Sequence, residues 1–266
     1  MLKLTGIHIY PIKSLAGISL SESMVEERGL KYDRRWMLVD ESGMFMTQRK
    51  IAKMALFKTA IEYETLVVTA PDNDMIKIPL SKELSEIIEV KIWDDECLAY
   101  ALSERYDQWF SDKLGMKCRI VYMGDQERLA NADWVQNNEK VSYADGYQYL
   151  IVGKSSLNDL NERMDEDVPM NRFRPNLVFS GGEAFDEDNW IDFKVGEVSF
   201  YGIKPCARCL ITTIDQNTSE KNTEPLITLS KFRKWDNKIF FGLNAAVADA
   251  GVIRVGDQIE VSNKKT

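Results

Sequence analysis

Hydrophobic and polar residues alternate along most of the first hundred residues of the chain. The alternation is clearest in residues 4–12 (LTGIHIYPI), 57–71, 75–80 and 87–93. Residues 34–49 (RRWMLVDESGMFMTQR) predict two strands joined by a turn at 41–43. Many short strands with turn signals between them are typical of a β-barrel or a β-sandwich.

Helical spacing enters the pattern after residue 100. Tyr106, Trp109, Phe110 and Leu114 share one helical face, and Gly115 is a stop signal. Two further helices are predicted: one opened by residues 155–156, with Leu157, Leu160 and Met164 as its apolar stripe, and one that follows Pro225. Strands are predicted at 118–123, 176–181, 197–203 and 209–214, and several more in the tail 240–261. The chain is therefore predicted to be mainly β with some α.

A polar stretch of the chain, residues 125–147, is too long for a simple connection. It predicts either a linker or a loop that covers a site. A softer change of pattern lies near residues 95–105 and is a plausible domain boundary.

Composition and charge narrow the class of protein. Hydrophobic residues make up 44% of the 266 residues and charged residues 29%, as in ordinary globular proteins. A net charge of −8 argues against a general nucleic-acid binder. The sequence has no apolar run of the roughly 18 residues that suggest a membrane span, and no signal-peptide pattern at its start. We therefore expect a cytoplasmic protein with no membrane contact, and a monomer.

The scarcity of histidine excludes several kinds of catalytic and metal site, and two of the four cysteines show no sign of a chemical role. His8 is the only histidine, so His-based metal sites and Ser-His or Cys-His nucleophile pairs are excluded. Cys97 and Cys118 stand alone in strand-like apolar stretches, which predicts buried, reduced thiols.

The other two cysteines, Cys206 and Cys209, are three residues apart in KPCARCLITTID. Half of a zinc site is one explanation, but two further ligands are not obvious in the sequence. A thioredoxin-like redox pair is another, but that pair opens a helix, and the residues after Cys209 favour a strand. A third is one thiolate ligand for a metal held mainly by another group. Packing without chemistry also remains open at this point.

Three other segments are rich in groups that bind anions. Residues 10–14 (YPIKS) place a lysine and a hydroxyl beside a proline. Residues 33–36 (DRRW) and 171–176 (NRFRPN) each contain two arginines. Arginine forks suit phosphate oxygens and carbonyl-bearing heterocycles. If the fold brings them together, they would form a positive pocket on an acidic protein.

Together, YPIKSLAG, DRRW, RFRPNLVFSGGEAFDEDNW and PCARCLITTID resemble the MOSC superfamily with its N-terminal β-barrel domain. The similar proteins are the amidoxime-reducing components and the bacterial YcbX-like proteins. The resemblance spans about residues 1–260 in the expected order. It implies an N-terminal MOSC β-barrel domain at 1–100 and a MOSC β-barrel domain with peripheral helices at 101–266.

The resemblance also implies a cofactor, the molybdenum cofactor, which is a pyranopterin dithiolene. Cys209 matches the catalytic cysteine that coordinates molybdenum, with Cys206 in a supporting position. The cofactor-contacting residues of the family correspond to Lys13, Ser14, Arg34, Arg49, Arg174 and Asn176. Arg172 and Arg208 are further candidates, and the role of Asp145 stays open.

The function implied by the resemblance is an oxidoreductase that reduces N-hydroxylated compounds such as amidoximes, hydroxylamines and N-hydroxylated bases. Some homologues have a ferredoxin domain with four clustered cysteines, which this sequence lacks. We therefore expect electrons from a separate donor, a ferredoxin or a flavoprotein reductase, and protons from Asp215 or a bound water. The alternative is a non-enzymatic carrier of the cofactor or of sulfur.

Overall fold

The structure, a computed structural model, describes residues 1–81, 86–125, 127–130 and 139–265. Most of its regular elements are strands. They are β1 (Leu2–Ile9), β2 (Ile18–Leu20), β3 (Glu22–Glu26), β4 (Gly29–Leu30), β5 (Trp36–Val39), β6 (Lys58–Glu62), β7 (Thr65–Thr69), β8 (Met75–Pro79), β9 (Ile87–Ile92), β10 (Asp95–Ala101), β11 (Arg119–Tyr122), β12 (Tyr149–Gly153), β13 (Leu177–Ser180), β14 (Trp190–Val195), β15 (Val198–Ala207), β16 (Lys234–Trp235), β17 (Lys238–Val247), β18 (Gly251–Arg254) and β19 (Gln258–Lys264). The α-helices are α1 (Glu104–Leu114), α2 (Lys154–Asn161) and α3 (Leu226–Phe232). The prediction of a mainly β protein with some α is confirmed.

Seven strands close into a β-barrel. Their order is β12-β13-β1-β19-β14-β15-β17, and β17 pairs with β12 to complete the ring, for example through Tyr149 and Ala245. Closure leaves these strands without free edges. Side chains that alternate inward fill the interior: Leu4, Ile7, Ile151, Phe179, Trp190, Phe193, Phe200 and Leu243. The first strand of the chain is therefore part of a barrel whose other strands all follow residue 148.

The parallel pair β12 and β13 is joined by a crossover that contains α2. Parallel neighbours need such a connection because a short turn cannot bring the chain back to the same end of the sheet. The crossover ends in a 3₁₀ turn, Met170–Arg172, directly before β13. As a result, the arginine-rich segment lies at one end of the barrel.

A second core lies beside the barrel. It is covered by the sheet β5-β11-β10-β9, the sheet β6-β7-β8 and helix α1. Helix α1 starts after Ser103 and ends at Gly115, whose φ of 72° is in the left-handed region that favours glycine. Tyr106 and Phe110 are buried on its inner face, so the predicted helix is confirmed in position and in orientation.

Two predicted strands are absent from the described residues at the predicted places. Residues after the turn at Gly43 make only single bridges, Val39 with Phe45 and Met44 with Lys91, and no continuous strand. Residues 209–214 were predicted as a strand from their β-branched composition, but Leu210–Thr213 form a 3₁₀ helix. Thr212 and Thr213 each donate a side-chain hydrogen bond to the carbonyl three residues earlier, a local bond that competes with strand pairing.

The polar stretch 125–147 lies partly outside the described residues, at 126 and 131–138. Among its described residues, Arg128 is buried and donates hydrogen bonds to the carbonyls of Ser142 (3.0 Å) and Ala144 (2.6 Å). Its C-terminal end, residues 144–147, lines a cleft at one end of the barrel. The division of the chain between residues 100 and 101 stays a prediction. No helix of the described part of the chain is both long enough and apolar enough to cross a membrane.

Candidate functional site

A cleft of about 340 Å³ lies at the end of the barrel where the arginine-rich segment enters β13. Its walls come from the loop between β1 and β2, the loop before β5, the segment before β13 and the C-terminal part of β15. All six residues predicted to contact the cofactor line it: Lys13, Ser14, Arg34, Arg49, Arg174 and Asn176. These residues are far apart in sequence, so only the fold places them together.

The ring of Tyr10 is the platform for two of the arginines. The guanidinium carbons of Arg34 and Arg174 lie 4.4 Å and 4.1 Å from its centroid. The hydroxyl of Tyr10 donates to the carbonyl of Pro175 at 3.1 Å, which fixes the ring. Burial raises the pKa of Tyr10 to about 12, so the ring stays neutral and both contacts are cation–π contacts.

Arg34 is held in place by a buried carboxylate and by an amide. Its Nη1 donates to Asp33 Oδ2 at 2.5 Å and to Asn176 Oδ1 at 3.0 Å. The side-chain amide of Asn176 also donates to the carbonyl of His8 at 3.1 Å. Asn176 therefore connects β1, the start of β13 and Arg34, and it orients the guanidinium as well as lining the cleft.

Arg174 stacks on the same ring as Arg34, but it forms no ion pair with a carboxylate of the described residues. Within the described parts of the chain, its guanidinium donates no hydrogen bond, although the residue is only 7% exposed. Burial lowers the pKa of Arg174 to about 10. Asp33 and Asp145 oppose this change from a distance, but neither contacts the guanidinium, so this position favours an anion in the cleft.

Three of the six residues have strained backbone. Ser14, Arg34 and Arg174 have φ values of 68°, 47° and 55°, in the left-handed region that non-glycine residues rarely adopt. Such strain persists only where the surrounding structure holds it, and it clusters at functional sites. The chain therefore bends sharply at the points where these side chains enter the cleft.

Asp145 joins the remaining two cations. It accepts a hydrogen bond from Nζ of Lys13 and lies 3.5 Å from Nη1 of Arg49. Desolvation in the cleft raises the pKa of the Asp145 carboxyl, but Lys13 and Arg49 outweigh that effect and hold the pKa well below its usual range. Burial lowers the pKa of Lys13 to about 8, although Asp145 opposes the change. The role of Asp145 that the sequence left open is to fix Lys13 and Arg49 on one wall.

The two cysteines are both half-buried, but only Cys206 lines the cleft. Cys206, near the C-terminal end of strand β15, lines the cleft and accepts a hydrogen bond from Nη1 of Arg208 at 3.0 Å. Cys209 precedes the 3₁₀ helix, and it is Nη1 of Arg49 that contacts its Sγ at 3.3 Å. Cys209 is half-buried beside the cleft and is not among the residues that line it.

The surroundings of this pair bear on the zinc and redox explanations. Among the residues that the structure describes, no three His, Cys, Asp or Glu side chains are placed to hold a metal ion together. The predicted strand after Cys209 argued against the redox-pair explanation. The structure has a single 3₁₀ turn there instead of a strand. Of the other two cysteines, Cys118 is buried as predicted, and burial raises its pKa to about 11. Cys97 is only half-buried.

Several residues at the cleft were missed by the sequence reasoning. Tyr147, Lys204 and Asn244 line it, and the nitrogen of Lys204 lies 5.1 Å from the centroid of the Tyr147 ring. Lys204 stands two residues before Cys206, so the same motif could have drawn attention to it. Trp93, which stacks under the Arg49 guanidinium at 4.4 Å, had no sequence signal.

Of the further candidates, Arg208 lines the cleft, while Arg172 and Asp215 do not. Arg172 Nη2 lies 3.6 Å from Asp215 Oδ2. The Asp215 carboxylate accepts hydrogen bonds from the backbone of Asn217 and Thr218, and these bonds lower its pKa. An ionised carboxylate occupied in this way, away from the cleft lining, is poorly placed to deliver protons there.

Comparison with known proteins gives two domain matches. Residues 1–117 match the MOSC N-terminal beta barrel domain, and residues 138–260 match the MOSC domain. Mitochondrial amidoxime-reducing component 1 of Mus musculus is 32% identical over 270 residues, which cover 94% of this chain and 79% of the mouse protein.

This chain covers very different shares of two further relatives. Mitochondrial amidoxime reducing component 2 of Rattus norvegicus is 31% identical and is covered over 81% of its length. The molybdenum cofactor sulfurase of Oryza sativa is 30% identical, but this chain covers only 32% of it. With both domain matches and this identity across nearly its whole length, the chain belongs to the MOSC family, with a MOSC N-terminal beta barrel domain followed by a MOSC domain.

Proposed function

We propose that this protein binds the molybdenum cofactor in the cleft and reduces N-hydroxylated compounds with electrons from a separate protein. The observation that supports this proposal most is the convergence of Lys13, Arg34, Arg49 and Arg174 on one cleft of a protein with a net charge of −8. The names of the mouse and rat relatives, which refer to amidoxime reduction, point to the reaction.

The residues present fit such a cofactor. An anionic phosphate needs hydrogen-bond donors and positive charge, and the buried Arg174 guanidinium makes no hydrogen bond or ion pair to another described residue. A soft metal needs sulfur, and two free thiols are at hand, Cys206 in the cleft lining and Cys209 in contact with Arg49, which lines it. A cleft of about 340 Å³ is also within the usual size range of small-molecule and cofactor sites.

The protein side of the reaction is binding and orientation. Arg34 and Arg174 would hold the phosphate and the pterin edge, Lys13 would add a third cation, and the Cys209 thiolate would be the protein ligand of molybdenum. When bound, the cofactor supplies the two-electron redox chemistry that no side chain offers. In the overall reaction, the N-hydroxy group would take up two electrons and two protons, and the products would be the reduced N–H compound and one water molecule.

Charge balance within the site gives Arg49 a role of its own. A thiolate ligand brings a negative charge to the edge of the cleft, and the Arg49 guanidinium is already within contact distance of that sulfur. Asp145 holds Arg49 in position from the other side. Arg49 would therefore keep the Cys209 side chain oriented toward the metal.

Elemental analysis of the purified protein tests the proposal. The wild type, Cys209→Ser and Cys206→Ser would be produced in a host that makes molybdenum cofactor, with circular dichroism as the check on folding. We expect near-stoichiometric molybdenum in the wild type, little in Cys209→Ser, and reductase activity on benzamidoxime only where molybdenum is retained. A folded Cys209→Ser protein with full molybdenum and full activity would overturn the ligand assignment.

Because Cys206 lines the cleft, the matched Cys206→Ser variant tests which of the two cysteines is the metal ligand. Retained molybdenum in that variant supports Cys209 as the ligand. Loss in Cys206→Ser and retention in Cys209→Ser would transfer the ligand role to the cysteine nearer the cleft. Zinc, or no metal, in all three proteins would contradict cofactor binding.

A carrier of the cofactor or of sulfur is the second candidate function, and the similarity to the molybdenum cofactor sulfurase of rice favours it. Turnover with a small reductant separates the two candidates. A reductase supplied with reduced viologen converts benzamidoxime, whereas a carrier holds the cofactor, fails to turn over, and releases the cofactor to an acceptor protein.

A further inference from the structure

A two-stranded hairpin projects beside the cysteine segment. It consists of β16 and the start of β17, joined by Asp236 and Asn237, whose φ values of 48° and 59° give the tight left-handed turn that twisted hairpins require. Lys234, Trp235 and Lys238 are exposed on it. Exposed tryptophan is uncommon on a protein surface without a partner, and Trp235 keeps 40% of its surface accessible.

The segment from the end of α3 into the hairpin has a net positive charge, opposite in sign to that of the whole protein. The molecule as a whole has a net charge of −8, but residues 231–238 (KFRKWDNK) contain four cations and a single acid. Arg233 forms an ion pair with Asp188. Lys231, Lys234 and Lys238 are exposed and form no ion pair within the described residues. The result is a local positive surface on an acidic molecule.

Exposed apolar side chains accompany these lysines. Leu210 is 65% exposed on the 3₁₀ helix, and Ile227 is 47% exposed on α3. Helix α3 contacts both this 3₁₀ helix and β16. We call this set of residues the hairpin surface; its members are Leu210, Ile227, Lys231, Lys234, Trp235 and Lys238. An apolar and aromatic centre among charged residues is the composition of a protein–protein interface.

The hairpin surface is linked directly to the candidate metal ligands. The Trp235 ring stacks on Phe240 with centroids 4.0 Å apart. Phe240 pairs with Ala207, and the backbone N–H of Arg208 donates to the carbonyl of Ile239 at 2.7 Å. Ala207 and Arg208 are the two residues between Cys206 and Cys209. A continuous path of stacking, hydrogen bonding and two covalent steps therefore leads from an exposed indole to the cysteines.

We propose that the hairpin surface is the docking site for an acidic electron-transfer protein that supplies the electrons of the reaction. The inference rests on the proposed reductase function and adds the place and the charge of the partner. An acidic donor is repelled by the rest of this molecule and attracted at Lys231, Lys234 and Lys238, so the field orients it as well as attracting it. Docking there brings the donor next to the short path to the cysteines.

Charge reversal with two kinds of reductant tests the docking site. The variant Lys234→Glu/Lys238→Glu would be compared with Lys3→Glu/Lys77→Glu, which reverses two exposed lysines outside the hairpin surface, on β1 and β8. Each protein would be assayed on benzamidoxime with reduced viologen, then with a reduced, strongly acidic [2Fe–2S] ferredoxin and with a reduced flavodoxin. The Kd for each protein donor would be measured by calorimetry at low and at high salt.

We expect the hairpin variant to keep wild-type turnover with viologen, because a small dye does not need the docking site. With the acidic donors, we expect its KM and Kd to rise about ten-fold or more, and the salt dependence of binding to be lost. The control variant should behave as the wild type with all reductants. Trp235→Ala should weaken donor binding at high salt as well, since its contribution is apolar.

Each contrary result has a distinct meaning. No viologen turnover in the loaded wild type contradicts the reductase function itself. Viologen turnover with equal effects of both charge reversals, or with no acceptance of either acidic donor by the wild type, overturns the docking site alone. Loss of binding to anionic lipid vesicles with donor kinetics unchanged would assign the hairpin surface to a membrane instead and would overturn the proposal too.

Discussion

The Nη1 atom of Arg49 lies 3.3 Å from the Sγ atom of Cys209, across 160 positions of sequence. The same guanidinium stacks on Trp93 at 4.4 Å and faces the Asp145 carboxylate at 3.5 Å. The side chain of Arg49 is therefore held on three sides and has little freedom to leave the sulfur. An arginine that looks like a solvated residue after a strand is in fact a contact of the candidate ligand.

Replacing Arg49 tests that contact. In Arg49→Ala, we expect the molybdenum content after a standard purification to fall about ten-fold, because a hydrogen bond to a charged group contributes about 1.5–3 kcal/mol. Arg49→Lys keeps the charge but loses the stacking and the fork, so an intermediate content is expected. Molybdenum content in Arg49→Ala equal to that of the wild type would show that the contact does not help to hold the metal.

The charge of Lys13 predicts a pH dependence of anion binding. Burial lowers the pKa of Lys13 to about 8, so the lysine in the cofactor-free protein loses its proton as the pH rises through that value. We expect the affinity of the cofactor-free protein for pyrophosphate, measured by calorimetry, to fall between about pH 7 and pH 9.5. Lys13→Arg stays charged over this interval and should show a much flatter profile. Parallel loss of affinity in both proteins would assign the pH dependence to another group.

Phe173 connects the stability of the fold to the position of the arginines. Its ring is fully buried and stacks on Phe241 with centroids 4.1 Å apart, and its carbonyl accepts a hydrogen bond from Arg208 at 2.7 Å. We expect Phe173→Ala to reduce the free energy of unfolding by about 3–5 kcal/mol in urea, because it opens a cavity that the barrel end cannot close. Phe173→Leu should lose less than half as much. A loss below about 1 kcal/mol in Phe173→Ala would mean that the site repacks freely.

A buried carboxyl outside the cleft predicts how stability depends on pH. Burial raises the pKa of Glu187 from 4.5 to about 7, although hydrogen bonds from Gly153 and Ser156 oppose the change. Between these two values the folded protein holds a proton that the unfolded chain has lost. The free energy of unfolding should therefore fall as the pH rises from about 5 to about 7.

The variant Glu187→Gln removes this titration. We expect its stability to vary less with pH than that of the wild type, by at most about 3 kcal/mol over the interval, in thermal or urea unfolding. Glu183→Gln changes an exposed carboxyl nearby and serves as the matched control. An unchanged slope in Glu187→Gln would show that this carboxyl does not titrate on folding.

The sequence by itself determined the elements whose signals are local. The face of α1 that buries Tyr106 and Phe110, its end at Gly115 and the strand β1 follow from periodicity and capping, because these preferences act within a few residues. The six cofactor contacts were implied by the resemblance of sequence motifs to the MOSC superfamily, and all six line the cleft.

Tertiary structure decided what depends on distant neighbours. The 3₁₀ helix at residues 210–213 is an exception of local origin, since Thr212 and Thr213 bond to carbonyls of the same turn in competition with strand pairing. No local pattern places Arg49 on Cys209, pairs Asp145 with Lys13, or joins the hairpin to Ala207. These contacts arise because closure of the barrel brings segments from both halves of the chain to one end, and the electrostatics of the cleft exist only once that closure has taken place.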